Sequence, residues 1–280
     1  MFNCYMEVIM FEIEKYKKIL DDYANKYINL MEKKEDKTLI SFKLSHTYRV
    51  TSNMEKIAKS CNLNEHDMFI AKVIGMYHDI GRFKQYFVYK TYDDKKSVNH
   101  AIYSTEVLKE NDILRDFNEE DRNIIYKSIY YHNVYKIEAI DEELTKNEVI
   151  FLKMIRDADR LDIYDSMANR VPNMSKEEQY IWYNERDLDG DVSDNIYNQI
   201  KEKVSPSMKE CSSVAESIFA RFSWVFSDFS FKEAINIIVE GKYFEKVYNY
   251  MKKSNKINEL YLFIMDYIQK IMHGENNLEY

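Results

Sequence analysis

Residues 64–83 read NEHDMFIAKVIGMYHDIGRF, and this stretch decides how the chain folds. Asn64 is a natural helix N-cap, and Asp67 three residues on makes a capping-box-like start. Ile70, Ile74 and Tyr77 recur at helical spacing, so one face of the helix is apolar. Gly81 reads as the stop, which puts His78 and Asp79 in the last turn. Neighbours on a helix point about 100° apart, so a His and the Asp after it share a target only near a helix end or around a large site.

The helical pattern continues on both sides. Upstream, the spacing predicts an amphipathic helix over Glu7–Leu30, a charged turn at Glu32–Lys37 and a second helix over Leu39–Ser60. Val50, Met54, Ile57 and Cys61 mark the buried face of that second helix, and His46 shares it. Downstream, Arg82–Val98 is polar, aromatic and aperiodic and reads as a long loop. Its segment Tyr86–Lys96 has the aromatics and lysines either to close over a nucleotide base or to stand exposed with no ligand. Ser97 then caps a helix carrying His100, Asn118 with Asp121 starts one that carries His132, and Thr145 with Glu148 starts one that carries Asp159. From Ser175 to Tyr280 helical periodicity persists, with Trp182 and Trp224 as anchors.

Five Gly and two Pro in 280 residues are too few for the turns of an all-β chain. The expectation is therefore all-α. It divides into an N-terminal helix (1–37), a core holding the histidines (38–170) and a C-terminal helical extension or lid (171–280), with Pro172 at the last break. Apolar residues at 45% and charged residues at 31% describe a globular chain, not a disordered one. The net charge of −8 argues against duplex nucleic acid as a partner, although a local basic pocket still suits a small phosphate compound. Three widely spaced cysteines suggest neither a disulfide framework nor a zinc knuckle, which fits a reducing cytoplasm. The N-terminus lacks the basic start and cleavage site of a secretory signal, and no uncharged run approaches the roughly 20 residues of a membrane span.

Only six histidines occur, and His46, His78, His100 and His132 fall on the apolar side of four different helices. Burying four imidazoles without partners would cost several kcal/mol, on the order of 1–3 each. Convergence on a divalent metal removes that cost, because neutral imidazole is a good ligand. His66 and His273 read as solvated surface residues. Three Asp compete in RDADRLD, residues 156–162; Asp159 shares a face with Leu152, Ile155 and Ile163, so periodicity selects it as the buried carboxylate. Asp157 and Asp162 read as supporting or surface groups.

The ordered set His46, His78-Asp79, Asp159 resembles the H…HD…D signature of HD-domain metal-dependent phosphohydrolases. YHDIGRF (77–83) is similar to the family's HD-hydrophobic-Gly-Lys/Arg segment, and RDADRLDIYD (156–165) to its closing Asp helix. With His100 and His132 the arrangement resembles the binuclear H…HD…H…H…D type. The resemblance covers about residues 40–166 and implies an HD-domain helical bundle with additional C-terminal helices. It implies a first metal held by His46, His78, Asp79 and Asp159, and a second held by Asp79, His100 and His132. The alternative, with one metal and His100 and His132 facing substrate or core, stays open. Manganese or iron is expected first; nickel, zinc and magnesium also fit.

On this resemblance Asp79 and Arg82 are the catalytic candidates, and Arg82 stands where the family's Lys or Arg lies. Arg49, Arg160 and Asn133 are further substrate-binding candidates, with Asn99 beside a ligand histidine. The implied chemistry is hydrolysis of a nucleotide or other small phosphoester by a metal-activated water, in a soluble chain that also suits a homodimer. Two other readings compete. An HD-type di-iron oxygenase uses the same ligand set, and a non-catalytic nucleotide-binding regulatory module would need no turnover. There is no GYP motif after the HD segment and no synthetase partner domain, so the cyclic-di-GMP and full-length alarmone subfamilies fit poorly.

Overall fold

The structure, a computed structural model, describes residues 2–275, 278 and 280, with backbone alone for residues 2–11. It is all-α: among the described residues the only β-type pairing is an isolated bridge between Asp187 and Ser213. The chain divides into two compact units, Met1–Asp159 and Arg160–Tyr280.

The first unit contains α1 (Phe2–Leu30), α2 (Lys34–Ser60), α3 (Glu65–Tyr77), α4 (Gly81–Tyr89), α5 (His100–Glu110), α6 (Glu119–Tyr131) and the first part of α7 (Lys146–Asn169). Tyr16, Leu20, Ala24 and Tyr27 form the buried stripe of α1, continued by Met31 just past its end, and the Tyr77 hydroxyl of α3 donates to the Tyr16 carbonyl at 2.8 Å. The helix starts follow the caps. Asn64 Oδ1 accepts from the Asp67 amide and Asn118 Oδ1 from the Asp121 amide, both at 2.9 Å. Thr145 and Glu148 close a reciprocal capping box. The expected charged turn at Glu32–Lys37 is instead the start of α2, helical from Lys34, where Glu35 and Asp36 in the first turn complement the helix dipole.

Three further expectations need correction. Gly81 does not stop α3, which ends at Tyr77; it opens α4. A Cβ on Gly81 would lie 2.6 Å from the Ser104 amide nitrogen, so the glycine serves a close approach of α4 to α5. The segment expected as a loop from Arg82 to Val98 is helical through Tyr89. Phe83 and Tyr86 are buried, and Phe83 and Phe87 meet Tyr23 and Tyr27 of α1. Aromatic packing, not intrinsic propensity, makes this helix, which is why periodicity alone misses it. Asn99, not Ser97, caps α5, accepting from the Ala101 and Ile102 amides, while Ser97 bonds Gln85 and the Asp93 carbonyl.

The second unit holds the end of α7, then α8 (Lys176–Trp182), α9 (Asp194–Lys201), α10 (Val214–Phe222), α11 (Lys232–Glu240), α12 (Tyr243–Tyr250) and α13 (Asn255–Met272). Pro172 lies in a 3₁₀ turn, Val171–Asn173, directly after α7. The core centres on Phe222 and Phe244, stacked at 3.8 Å, with Tyr164 edge-on to Phe244. No helix among the described residues is long and apolar enough to cross a membrane. Cys61 and Cys211 are free thiols, and the Cys4 side chain lies outside the described residues.

Glu216 of α10 is 1% exposed and accepts from the Ser193, Ser212 and Ser213 amides. Burial raises its pKa, but the bonds from Ser193 and Ser212 outweigh that and bring it down to about 2. A depressed carboxylate stabilises above its unfolded value of about 4.3 and loses that contribution as pH falls from there. Glu216→Gln is therefore expected to cost about 1–3 kcal/mol at neutral pH, read by chemical denaturation. The difference from wild type should shrink between roughly pH 4.3 and 2; a difference constant down to pH 2 would refute the assignment.

Candidate metal centre

Four helices and one turn bring the histidines together. His46 lies on the buried face of α2 with Val50, Met54 and Ile57. His78 is the C-cap of α3 and His132 the C-cap of α6, and each turns its Nδ1 back onto its own helix. His78 Nδ1 meets the Gly75 carbonyl at 2.8 Å and His132 Nδ1 the Ile129 carbonyl at 2.7 Å. A carbonyl can only accept, so both Nδ1 atoms carry the proton and both Nε2 atoms face inward. His100 opens α5, with Nδ1 2.5 Å from Asp94 Oδ2.

The inward atoms converge. His46 Nε2 is 3.3 Å from each of His78 Nε2, Asp79 Oδ2 and Asp159 Oδ1, and His78 Nε2 is 3.3 Å from Asp79 Oδ2. His100 Nε2 is 3.1 Å from His132 Nε2 and 3.7 Å from Asp79 Oδ1. Among the described residues this makes two triads that could each hold a metal ion, His46/His78/Asp79 and Asp79/His100/His132, with Asp79 common to both. Its Oδ2 faces the first pair of histidines and its Oδ1 faces His100.

The electrostatics match a cation. Burial lowers the pKa of His132 to about 3, and burial with the nearby Arg82 charge lowers that of His100. Both rings are therefore neutral at physiological pH, and their facing lone pairs have no proton between them. Asp79 Oδ1 is buried and accepts no hydrogen bond. Burial raises the Asp79 pKa, but Lys43, His78 and His46 hold it well below the usual carboxylate range. Asp159 is lowered too, where His46 and His78 outweigh its burial. Ionised carboxylates and neutral imidazoles around an orphaned oxygen are the donor set a divalent ion requires.

Residues 44–164 match the family model of the HD domain. This stretch is an HD domain. No curated protein and no solved structure matches the chain. HD domains belong to a superfamily of metal-dependent hydrolases, and the two triads lie within the matched residues of this one.

The other candidates have the following places. Arg82 reaches Asp79 Oδ1 with Nε at 3.5 Å, while its Nη1 donates to Asp94, Gln85 and the Tyr92 carbonyl. Arg49 stacks over the Phe42 ring. Asn133 is exposed and donates to Asn99 Oδ1 at 3.0 Å. Arg160, in the second unit, donates to the Asp228 carbonyl at 2.7 Å. His66 is half-exposed but pairs with Asp121 at 3.0 Å. Of the three Asp on α7, Asp159 turns to the histidines with its side chain 29% exposed, whereas Asp157 and Asp162 are buried at 0% and 2%. Surface positions for those two are thus ruled out. Periodicity expects Asp159 to be the buried carboxylate of the three; the buried ones are Asp157 and Asp162, and Asp159 instead faces the histidines.

Sequence reasoning missed three residues that support the site, Arg156 and Asp94 within the HD domain and Lys43 just before it. Lys43 forms an ion pair with Asp79 Oδ2; its signal was available, since it lies three residues before His46 on one helical face. Arg156 is buried and bonds the His132, Val134 and Tyr135 carbonyls, which ties down the chain leaving α6. Asp94 sits in a 3₁₀ turn that carried no periodic signal. It grips His100 with one oxygen and Arg82 and Gln85 with the other, so its carboxyl pKa is held far down by His100 and Arg82 against its burial. A carboxylate behind a ligand imidazole fixes the tautomer and the ring's aim. Asp94→Asn is expected to weaken metal binding about 10–100-fold, and only at the position that uses His100. Metal titration reads this, and equal affinity at both positions would remove the positioning role.

Proposed function

We propose that the chain is a metal-dependent phosphohydrolase or phosphodiesterase acting on a nucleotide or other small phosphoester. The observation that supports it is the sharing of Asp79 between two triads, one oxygen to each. His46, His78, Asp79 and Asp159 would hold one ion, and Asp79, His100 and His132 a second, with manganese or iron the first choice. When bound, such ions supply Lewis acidity and make a water acidic enough to attack at neutral pH.

The chain's own groups do the rest. The Nδ1 bonds of His78, His100 and His132 hold the ligand rings in one tautomer before any substrate arrives. Arg82 keeps a fixed positive charge next to Asp79 Oδ1, where it favours negative charge growing on phosphoryl oxygens. Helix packing keeps the ligand histidines below 10% exposure, so these interactions act in a low dielectric.

The test is elemental analysis of the purified protein beside a panel of p-nitrophenyl phosphate and nucleotides with added manganese, iron, nickel or magnesium. About two metals per chain with phosphate release is the expected result. Bound iron with oxygen uptake and no phosphate release would replace this reading with a di-iron oxygenase. Metal without any turnover would leave a binding module.

A further inference from the structure

We propose that Lys43 has a second task in this site: it competes with a divalent ion for Asp79 Oδ2 and, once displaced, binds a phosphoryl oxygen of the substrate. The inference rests on the phosphohydrolase reading and adds a substrate-binding residue to it. Lys43 lies on α2, three residues before His46, and its ammonium pairs with Asp79 Oδ2. That same oxygen is 3.3 Å from His46 Nε2 and from His78 Nε2, which makes it the ligand atom of the first triad. An ammonium and a divalent ion repel each other and cannot both sit on one carboxylate oxygen at contact distance. Ion binding therefore frees the ammonium without removing it from the site.

The two cations beside Asp79 differ in what they can do next. Arg82 is clamped through Nη1 by Asp94, Gln85 and the Tyr92 carbonyl. Lys43 has Asp79 as its ion-pair partner and keeps a flexible four-carbon stem. Its side chain is 17% exposed against 3% for Asp79, so it has more access to solvent than the carboxylate it pairs with. A displaced ammonium there meets what arrives from solvent, and an anion fits it. A phosphoryl group brings several oxygens, enough to reach the metal side and Lys43 together.

Lys43→Met and Lys43→Arg decide the matter, each checked for helical content by circular dichroism. Calorimetry with manganese alone reads the competition, and calorimetry with inorganic phosphate on manganese-loaded protein reads the anion contact. Lys43→Met is expected to bind manganese about 10-fold more tightly and phosphate about 10-fold more weakly. Lys43→Arg should keep phosphate affinity within about threefold of wild type, since the charge remains. Unchanged or weaker manganese binding by Lys43→Met, or unchanged phosphate binding, overturns the proposal. If both shifts appear but wild type releases phosphate from no ester, the hydrolase reading falls and the Lys43 contact stands. If wild type hydrolyses esters and Lys43→Met shows neither shift, Lys43 alone falls.

Discussion

An Asp79→Ala chain is expected to lose both metals together and, with them, all metal-dependent phosphate release. The carboxylate is the one group shared by the two triads, so no other substitution removes a ligand from each at once. The loss in rate should be on the order of 10³-fold or more, since bound ions lower such barriers by several kcal/mol. The fold should survive, because Asp79 lies in the short turn between α3 and α4 and not within a helix. The change also strands two positive groups, Lys43 and Arg82, that Asp79 now faces, and their charge opposes any residual binding. Elemental analysis and phosphate release on one folded sample check this. Wild-type metal content in Asp79→Ala would end the shared-ligand account.

The second large effect concerns stoichiometry. His132→Ala is expected to take the metal content from about two per chain to about one, with His46, His78, Asp79 and Asp159 keeping theirs. The reason is geometric: the His132 Nε2 meets His100 Nε2 at 3.1 Å and belongs to the second triad alone. Activity should fall by more than the roughly 10–100-fold of a supporting-residue change. His100→Ala should give the same metal count, which separates ligand loss from any disturbance at the end of α6. Two metals retained in both variants would return His100 and His132 to a substrate-facing role.

Much of this was legible from residues alone. The caps at Asn64, Asn118 and Thr145 placed three helix starts, and the spacing around His46 put it on the buried face of α2. These signals are local, so a single chain carries them. The helix α4 was not legible, because its buried face is made by aromatics from α1 that lie some sixty residues upstream. Asp94 was hidden for a related reason: its partners His100, Arg82 and Gln85 come together only after α4 and α5 pack. The burial order of Asp157 and Asp159 reversed because a carboxylate lining a polar site keeps some water access, whereas one within the helical packing does not.

Gly75 joins two properties that are usually studied apart. A Cβ there would fall 2.8 Å from the Thr51 Cα, so its bare backbone sets how near α2 lies to α3. Its carbonyl is also the acceptor that aims His78. The spacing of two helices and the direction of one ligand bond thus share a single atom group. Any side chain that pries α2 from α3 also separates His46 from His78, whose nitrogens stand 3.3 Å apart. With a metal bound between them, a packing defect at the α2–α3 contact would register as a change in coordination distance, and metal retention would become a gauge of helix spacing.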